Sequence, residues 1–312
     1  MKTVTRRSVF IAVFLGMALI LTGCIYCIFF SAGKINVHSD TFEDLLPQLE
    51  DNIFSSPCGK LENEVLNWEK ERPFLRLCGQ HGAIMRLAAY KIFIPDLPPG
   101  EKSNVALAAK LLAGKVVAPG ERFSLNGAVG PYSRERGFQE GPAYSGGNVV
   151  KVVGGGVCKI ATTLYNTAVL ANLEVLERHS HNMLVPYVLP GQDAAIVYAV
   201  QDFSFRNNTE CPLVIWSGTG EDTLTIAMYG STAPPLVTWR HELLNWQKRP
   251  IVYRNNPNLL PGEEKIITSG ADSVTVKSWL VIDGFDGTQT TRKMGTSYYS
   301  PLPRVIEKIF LD

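Results

Sequence analysis

Cys158 follows a triple glycine, Gly154-Gly155-Gly156, and stands at the start of a segment with helical periodicity. A thiol in the first turn of a helix meets unpaired backbone N–H groups and the positive end of the helix dipole, which stabilise a thiolate. The same N–H groups can hold an oxyanion that develops on an attacked carbonyl. Glycines let another peptide approach the backbone closely. Cys158 therefore reads as a nucleophile, with two structural alternatives: a small buried filler or the partner of Cys211 in a disulfide.

A thiol nucleophile needs a base. Only five histidines are present, and two of them form Arg178-His179-Ser180-His181 downstream of the thiol. On an extended segment His179 and His181 point to one face and Arg178 to the other. Either histidine is a candidate base, and either can instead be a satisfied structural residue. His-x-His with Cys158 supplies only three zinc ligands without a fourth. Asp193 and Asp202 are both placed to orient an imidazole, and spacing does not choose between them.

The elements that must position these residues are partly legible. Val105, Ala108, Ala109 and Leu112 repeat at helical spacing, and Gly114 with Pro119-Gly120 ends that helix. Val157, Ile160, Ala161, Leu164, Tyr165 and Ala168 predict a buried helix behind Cys158. Strands are expected at 122–125, 175–178, 195–200, 203–206, 213–216 and 224–228. The Ser-Thr-Ala-Pro-Pro run at 231–235 reads as a linker. Beyond it Val274, Val276, Ser278, Leu280 and Ile282 alternate with other residues as in a strand. The expected class is α+β: helices packed on a mostly antiparallel sheet, a small C-terminal β module and an N-terminal transmembrane helix. The divisions are 1–34 (anchor), 35–100 (N-terminal helical segment), 101–232 (core domain) and 236–312 (β module).

The anchor rests on Val9 to Phe30, which carry no charge and follow Lys2, Arg6 and Arg7. As a helix this run rises about 33 Å, the thickness of a bilayer core. Positive charge before it orients the N-terminus inward, which makes the chain a single-pass protein of the cell membrane with its C-terminal bulk outside the cytoplasm. Leu21-Thr22-Gly23-Cys24 offers the alternative of a lipoprotein attached through Cys24. Outside the cytoplasm, Cys58 with Cys78 is the simplest disulfide pairing.

Composition narrows the function. Thirty Lys and Arg against 29 Asp and Glu give a net charge of +1, without the basic excess of a nucleic-acid protein. At 46% hydrophobic and 19% charged, a chain of 312 residues can bury a substantial core, which excludes wholesale disorder.

Six separate motifs then occur in order: Pro119-Gly120-Glu121-Arg122-Phe123-Ser124, Gly154-Gly155-Gly156-Val157-Cys158, Thr162-Thr163-Leu164-Tyr165-Asn166, Glu177-Arg178 with His181, Gly191-Gln192-Asp193-Ala194, and Asp202-Phe203 with Phe205 and Asn207. From about residue 100 to 230 the chain resembles the VanW family of bacterial cell-envelope proteins. It departs from the family pattern in Lys159, where Gln usually follows the cysteine. The five glycines Gly262, Gly270, Gly284, Gly287 and Gly295 make the C-terminal module similar to five-glycine cell-wall modules.

The resemblance implies a peptidoglycan-modifying protein outside the cytoplasm, a cysteine L,D-transpeptidase acting through a thioacyl-enzyme. The alternative it leaves is a non-catalytic wall-binding or accessory protein of the glycopeptide-resistance type. It implies Cys158 as nucleophile and His181, with His179 second, as base; Asp193 is the acid expected to join them in the catalytic set. Gly155, Gly156, Arg178 and Tyr165 are the expected substrate-binding positions. The partners implied are peptidoglycan stem peptides, with the membrane reached through the N-terminal helix; neither nucleic acid, metal nor organic cofactor is called for.

Overall fold

The computed structural model describes residues 53–54, 61, 64–145 and 148–310, all within one compact unit spanning Thr41–Asp312. In chain order the elements are β1 (Ile53–Phe54), α1 (Arg72–His81), β2 (Met85–Phe93), α2 (Pro99–Leu112), β3 (Lys115–Val117), β4 (Arg122–Ser124) and α3 (Leu125–Val129). There follow β5 (Glu140–Ser145), β6 (Asn148–Val153), α4 (Cys158–Leu170), β7 (Glu174–Glu177), β8 (Ser204–Arg206), β9 (Leu213–Thr219) and β10 (Thr223–Gly230). The last six are β11 (Leu236–Gln247), β12 (Ile251–Asn255), β13 (Glu264–Thr268), β14 (Ser273–Asp283), β15 (Gln289–Tyr299) and β16 (Arg304–Lys308).

The central sheet has the order β2-β10-β9-β3 and is antiparallel throughout. Both of its faces are covered. Tyr90 and Ile92 of β2, Ile226 and Met228 of β10, and Leu213 and Ile215 of β9 join the core beneath α2 and α4. Their strand neighbours Ala89, Ala227, Tyr229 and Val214 pack instead against Trp68, Phe74 and Cys78 of the N-terminal segment. A sheet buried on two sides needs apolar residues at consecutive positions, which is why Leu213–Ile215 and Ile226–Met228 read as runs rather than as alternation.

Two smaller sheets, β4-β8-β7 and the β5–β6 hairpin, flank this layer. The C-terminal strands build β1-β11-β14-β15 and β12-β16-β13, in which β12 and β16 run parallel. On β14, Val274, Val276, Ser278, Leu280 and Ile282 are buried and the intervening residues are not, as expected of a strand with one covered face. Trp239 and Val237 of β11, with Leu280 and Ile282 of β14, belong to the same core as α4. The C-terminal strands thus share a hydrophobic core with the residues around Cys158.

The expected fold class is overturned. Among the described residues 41% are strand and 20% helix, a mostly β arrangement and not helices laid on a sheet. Two features account for the difference. The segment 35–100 contributes β2, an edge strand of the central sheet paired with β10, and not helix alone. Three strands of the C-terminal half, β11, β14 and β15, run for 12, 11 and 11 residues. The transmembrane helix is likewise not supported: among the described residues no helix is long and apolar enough to cross a membrane. The run Val9–Phe30 and Cys24, on which the anchor and lipoprotein readings rest, lie outside the described residues, as does Cys58. Cys78, Cys158 and Cys211 are free thiols, so Cys158 is not bonded to Cys211.

Candidate functional site

Cys158 is the first residue of α4, and the turn before it is fixed by α2. Asn104, wholly buried on α2, donates to the carbonyls of Gln139 and Gly155, both at 2.9 Å, and accepts from the Gln139 N–H at 2.7 Å. Gly155 lies against the backbone of Gly141, where an added Cβ would fall 2.3 Å from carbonyl atoms. Gly156 has φ +99° and faces Glu101. The glycines therefore serve close backbone packing and a left-handed turn that delivers Cys158 to the helix start. Glu101 also pairs with Lys159, whose ammonium sits 4.9 Å above the Tyr187 ring.

The same helix holds the opposite wall. The Thr162 hydroxyl accepts from the Ala194 N–H at 2.9 Å, and the Asn166 amide donates to the Gln192 carbonyl at 2.7 Å. Gln192 is tied further to His241, 2.8 Å away, and to the Tyr90 hydroxyl. The segment 191–194 is thereby clamped, and with it the carboxylate of Asp193, only 1% exposed.

Asp193 is the hub. Its Oδ2 accepts the His181 backbone N–H at 2.6 Å and faces His181 Nδ1 at 2.7 Å. Its Oδ1 accepts from Arg178 Nη2 at 2.8 Å and from the Tyr299 hydroxyl. With Nδ1 engaged by Asp193, the other ring nitrogen of His181 remains available to Cys158, whose sulfur feels the imidazole charge. Cys158 is a half-buried residue, and its sulfur accepts the Ile196 N–H at 3.5 Å and lies 3.6 Å from the Ile196 carbonyl oxygen. Cys158, His181 and Asp193 thus form one line of electrostatic coupling.

The electrostatics follow from these contacts. Burial alone would raise the Cys158 thiol, but the hydrogen bond and charge of His181, the Ile196 N–H and Lys159 together hold it below its ordinary value. Burial opposes protonation of His181, yet Asp193 and the sulfur raise it to about 9. Asp193 is held below the usual carboxylate range because its contacts with His181 and Arg178 outweigh burial. Both shifts run in the direction that favours a thiolate–imidazolium pair. Such a pair is a ready nucleophile with a ready proton donor beside it.

The other positions singled out in the sequence lie as follows. His179 is bonded to Glu177, 3.2 Å away, and sits in an isolated bridge with Ala195, so it is not in the line. Arg178 is committed: Nε donates to the Asp193 carbonyl at 2.7 Å, Nη2 to its carboxylate and Nη1 to Ser297 Oγ at 2.9 Å. Tyr165 is buried against Phe203, Trp239 and Arg178, and its hydroxyl is pushed up to about 12 by burial. Asp202 caps α3 through the Asn126 N–H at 2.9 Å and meets Ser124 Oγ. Spacing in the sequence missed Asn104, Glu101, Tyr187 and Tyr299. Glu101 and Asn104 did leave a signal, since they continue the apolar face of α2 at Val105 and Ala108 with polar residues. A cleft of about 790 Å³ opens between the start of α2 and the β5–β6 hairpin, but neither Cys158 nor His181 lines it.

Residues 100–229, which include Cys158, His181 and Asp193, match the family model described as VanW like protein. The resemblance read from the motifs is thereby shown for that segment. A Bacillus subtilis protein named Uncharacterized protein YoaR is 33% identical over 151 residues, 48% of this chain and 50% of that protein. The Vancomycin B-type resistance protein VanW of Enterococcus faecalis is 26% identical over 137 residues, 42% of this chain and 50% of its own length. The chain spans about half the length of these curated relatives. Among solved structures, the IgA1 protease G5 domain is matched over its whole length and 27% of this chain, at 21% identity and a TM-score of 0.17; a score so low carries no argument about the fold.

Proposed function

We propose that this VanW-like chain is a cell-wall acyltransferase working outside the cytoplasm, an L,D-transpeptidase in which Cys158 forms a thioester with a peptidoglycan stem peptide. The observation that supports this reading is the Cys158–His181–Asp193 line, built at a helix start with the thiol shifted down and the imidazole shifted up. The name of the Enterococcus relative, a vancomycin-resistance protein, supports a wall-directed substrate. The extracytoplasmic location is part of the proposal, because that substrate lies outside.

The thiolate sulfur bonds to the carbonyl carbon joining the third and fourth residues of the donor stem, and the carbonyl π electrons move to oxygen. The resulting oxyanion is held at the start of α4. Val157 N–H bonds the Gly154 carbonyl, so the donors proposed are the N–H groups of Gly156 and Cys158. Collapse breaks the C–N bond, and His181 gives its proton to the departing amine of D-alanine. A thioester and a neutral imidazole remain. An acceptor amine then attacks the thioester, His181 takes its proton, and sulfur leaves as thiolate, which restores the starting pair. Asp193 keeps Nδ1 protonated and the ring aimed at sulfur throughout. Arg178 positions Asp193 in this scheme rather than a substrate carboxylate.

The test is mass analysis of purified muropeptides incubated with the wild-type chain and with Cys158→Ala. The expected result is a new cross-linked product and an acyl adduct on the Cys158 peptide, both lost in the variant. No adduct and no Cys158-dependent product would reduce the site to a scaffold.

A further inference from the structure

Strand β15 reaches the site through two side chains that the proposed reaction leaves without a role. Tyr299, 1% exposed, donates its hydroxyl hydrogen to Asp193 Oδ1 and accepts the Gly191 N–H at 2.7 Å. Two positions earlier, Ser297 Oγ accepts from Arg178 Nη1 at 2.9 Å. Residues i and i+2 share a strand face, so both point from β15 toward the 178–193 network. The ring of Tyr299 packs with Val274 and Val276, a place that Phe would fill equally well. Only the hydroxyl distinguishes the two, and it lies between the loop that carries Asp193 and the carboxylate itself. Burial and the nearby charge of Asp193 push the phenol well above its ordinary range, so it stays a donor wherever the protein is folded. A buried carboxylate keeps its position and charge only while each oxygen is satisfied. Here Oδ2 faces His181, and the acceptor capacity of Oδ1 is taken by Arg178 and Tyr299.

We propose that Tyr299 is a positioning residue for the chemistry of Cys158, acting through Asp193 and His181, with Ser297 fixing Arg178 in the same frame. The C-terminal sheet is then a working part of the site, and residues 100–229 do not complete it alone. This rests on the acyl-transfer reading above, because a scaffold cysteine would have no use for an aimed imidazole.

The test is the pH dependence of iodoacetamide alkylation at Cys158, followed by mass spectrometry of its peptide in the folded full chain. Wild type, Tyr299→Phe and Ser297→Ala are compared, with thermal melting measured in parallel. The wild-type acid limb is expected below that of an ordinary thiol. In Tyr299→Phe it moves up by about one pH unit, a roughly ten-fold slower reaction below the limb, and the urea-unfolded chains react alike. Ser297→Ala shifts it the same way by less. A depressed wild-type limb that does not move in Tyr299→Phe, whatever its melting temperature, overturns the positioning role and leaves acyl transfer standing. An ordinary wild-type limb overturns both. Should Tyr299→Phe fail to fold, Ser297→Ala decides: an unmoved limb there removes β15 from the chemistry.

Discussion

His181 and Asp193 are joined twice through a single oxygen, the backbone N–H at 2.6 Å and the ring Nδ1 at 2.7 Å from Oδ2. Two bonds to one acceptor fix both the chain path at His181 and the tilt of its ring. Asp193→Asn keeps the size but replaces charge with a neutral amide, so the imidazolium loses its partner and the ring its orientation. Acyl-adduct formation at Cys158 is expected to fall about a hundred-fold or more. The buried Arg178 also loses its counter-charge, and stability is expected to drop by about 3–5 kcal/mol. Single-turnover adduct kinetics and urea unfolding measure the two effects separately.

The opposed shifts of Cys158 and His181 make a specific prediction for stability against pH. The folded His181 is raised to about 9 from 6.5, so its contribution is complete below 6.5 and is lost as pH rises through 9. Cys158 is lowered from 9.0, so its contribution is complete above 9.0 and is lost as pH falls through its folded value. Where the two windows overlap the contributions oppose each other, stability rising with pH through Cys158 and falling through His181. In Cys158→Ala the sulfur half is gone while Asp193 still holds the imidazolium. The variant is expected to lose stability with rising pH from 6.5 upward, at up to about 1.4 kcal/mol per pH unit relative to wild type. Urea midpoints at half-unit intervals would show it; parallel curves for the two proteins would refute the charged pair.

How much of this was legible beforehand depends on the range of the interaction. The helix behind Cys158 was readable because its apolar residues recur at local spacing, and α4 covers that stretch. The two histidines were placed on one face by the period of a strand. The strand β7 ends at Glu177, however, and beyond it only an isolated bridge at His179 remains, so the rule no longer applies and the rings diverge. Residues 195–200 were expected as a strand; the chain instead turns back, with Ala199 at φ +60° and Val197 bridged to Gln201. Asp193 and Asp202 were indistinguishable because their difference lies in what faces them, a histidine ring in one case and a helix N-terminus in the other. The contact of Tyr299 with Asp193 crosses 106 residues and leaves no local pattern at all. The mistaken fold class has a similar origin: β2 pairs with β10, a strand more than a hundred residues further on, and nothing near β2 announces it.

Gly191 tests how rigidly the Asp193 loop must be held. It has φ +89°, and an added Cβ would lie 2.3 Å from Ser278 Oγ and 3.2 Å from His241 Nδ1. Both neighbours are buried and bonded to each other at 2.9 Å, so neither can retreat cheaply. Gly191→Ala therefore combines a strained backbone with overpacking, and about 2–4 kcal/mol of destabilisation is expected. Because Gly191 also donates to Tyr299, Cys158 alkylation at pH 6 should slow as well. Unchanged unfolding midpoints would mean the loop can shift, and that the clamp on Asp193 is looser than its contacts imply.

Lys159 and Glu101 form the other buried pair at the site, with side chains 14% and 5% exposed. Glu101 also touches Gly156, so the pair brackets Cys158 from both neighbouring sides. Lys159→Met leaves the Glu101 carboxylate buried without its cation, and a loss of about 3–5 kcal/mol is expected. Adding Glu101→Gln removes the stranded charge and should restore much of that loss, which a double-mutant cycle in urea would report as a coupling energy. The thiol gives an independent readout. Lys159 is one of the groups that lower Cys158, so the acid limb of alkylation should move upward in Lys159→Met. The double variant should keep that shift even as it regains stability, since the cation is absent from both. If the limb instead returns with stability, Lys159 acts on the sulfur only by holding the turn in place.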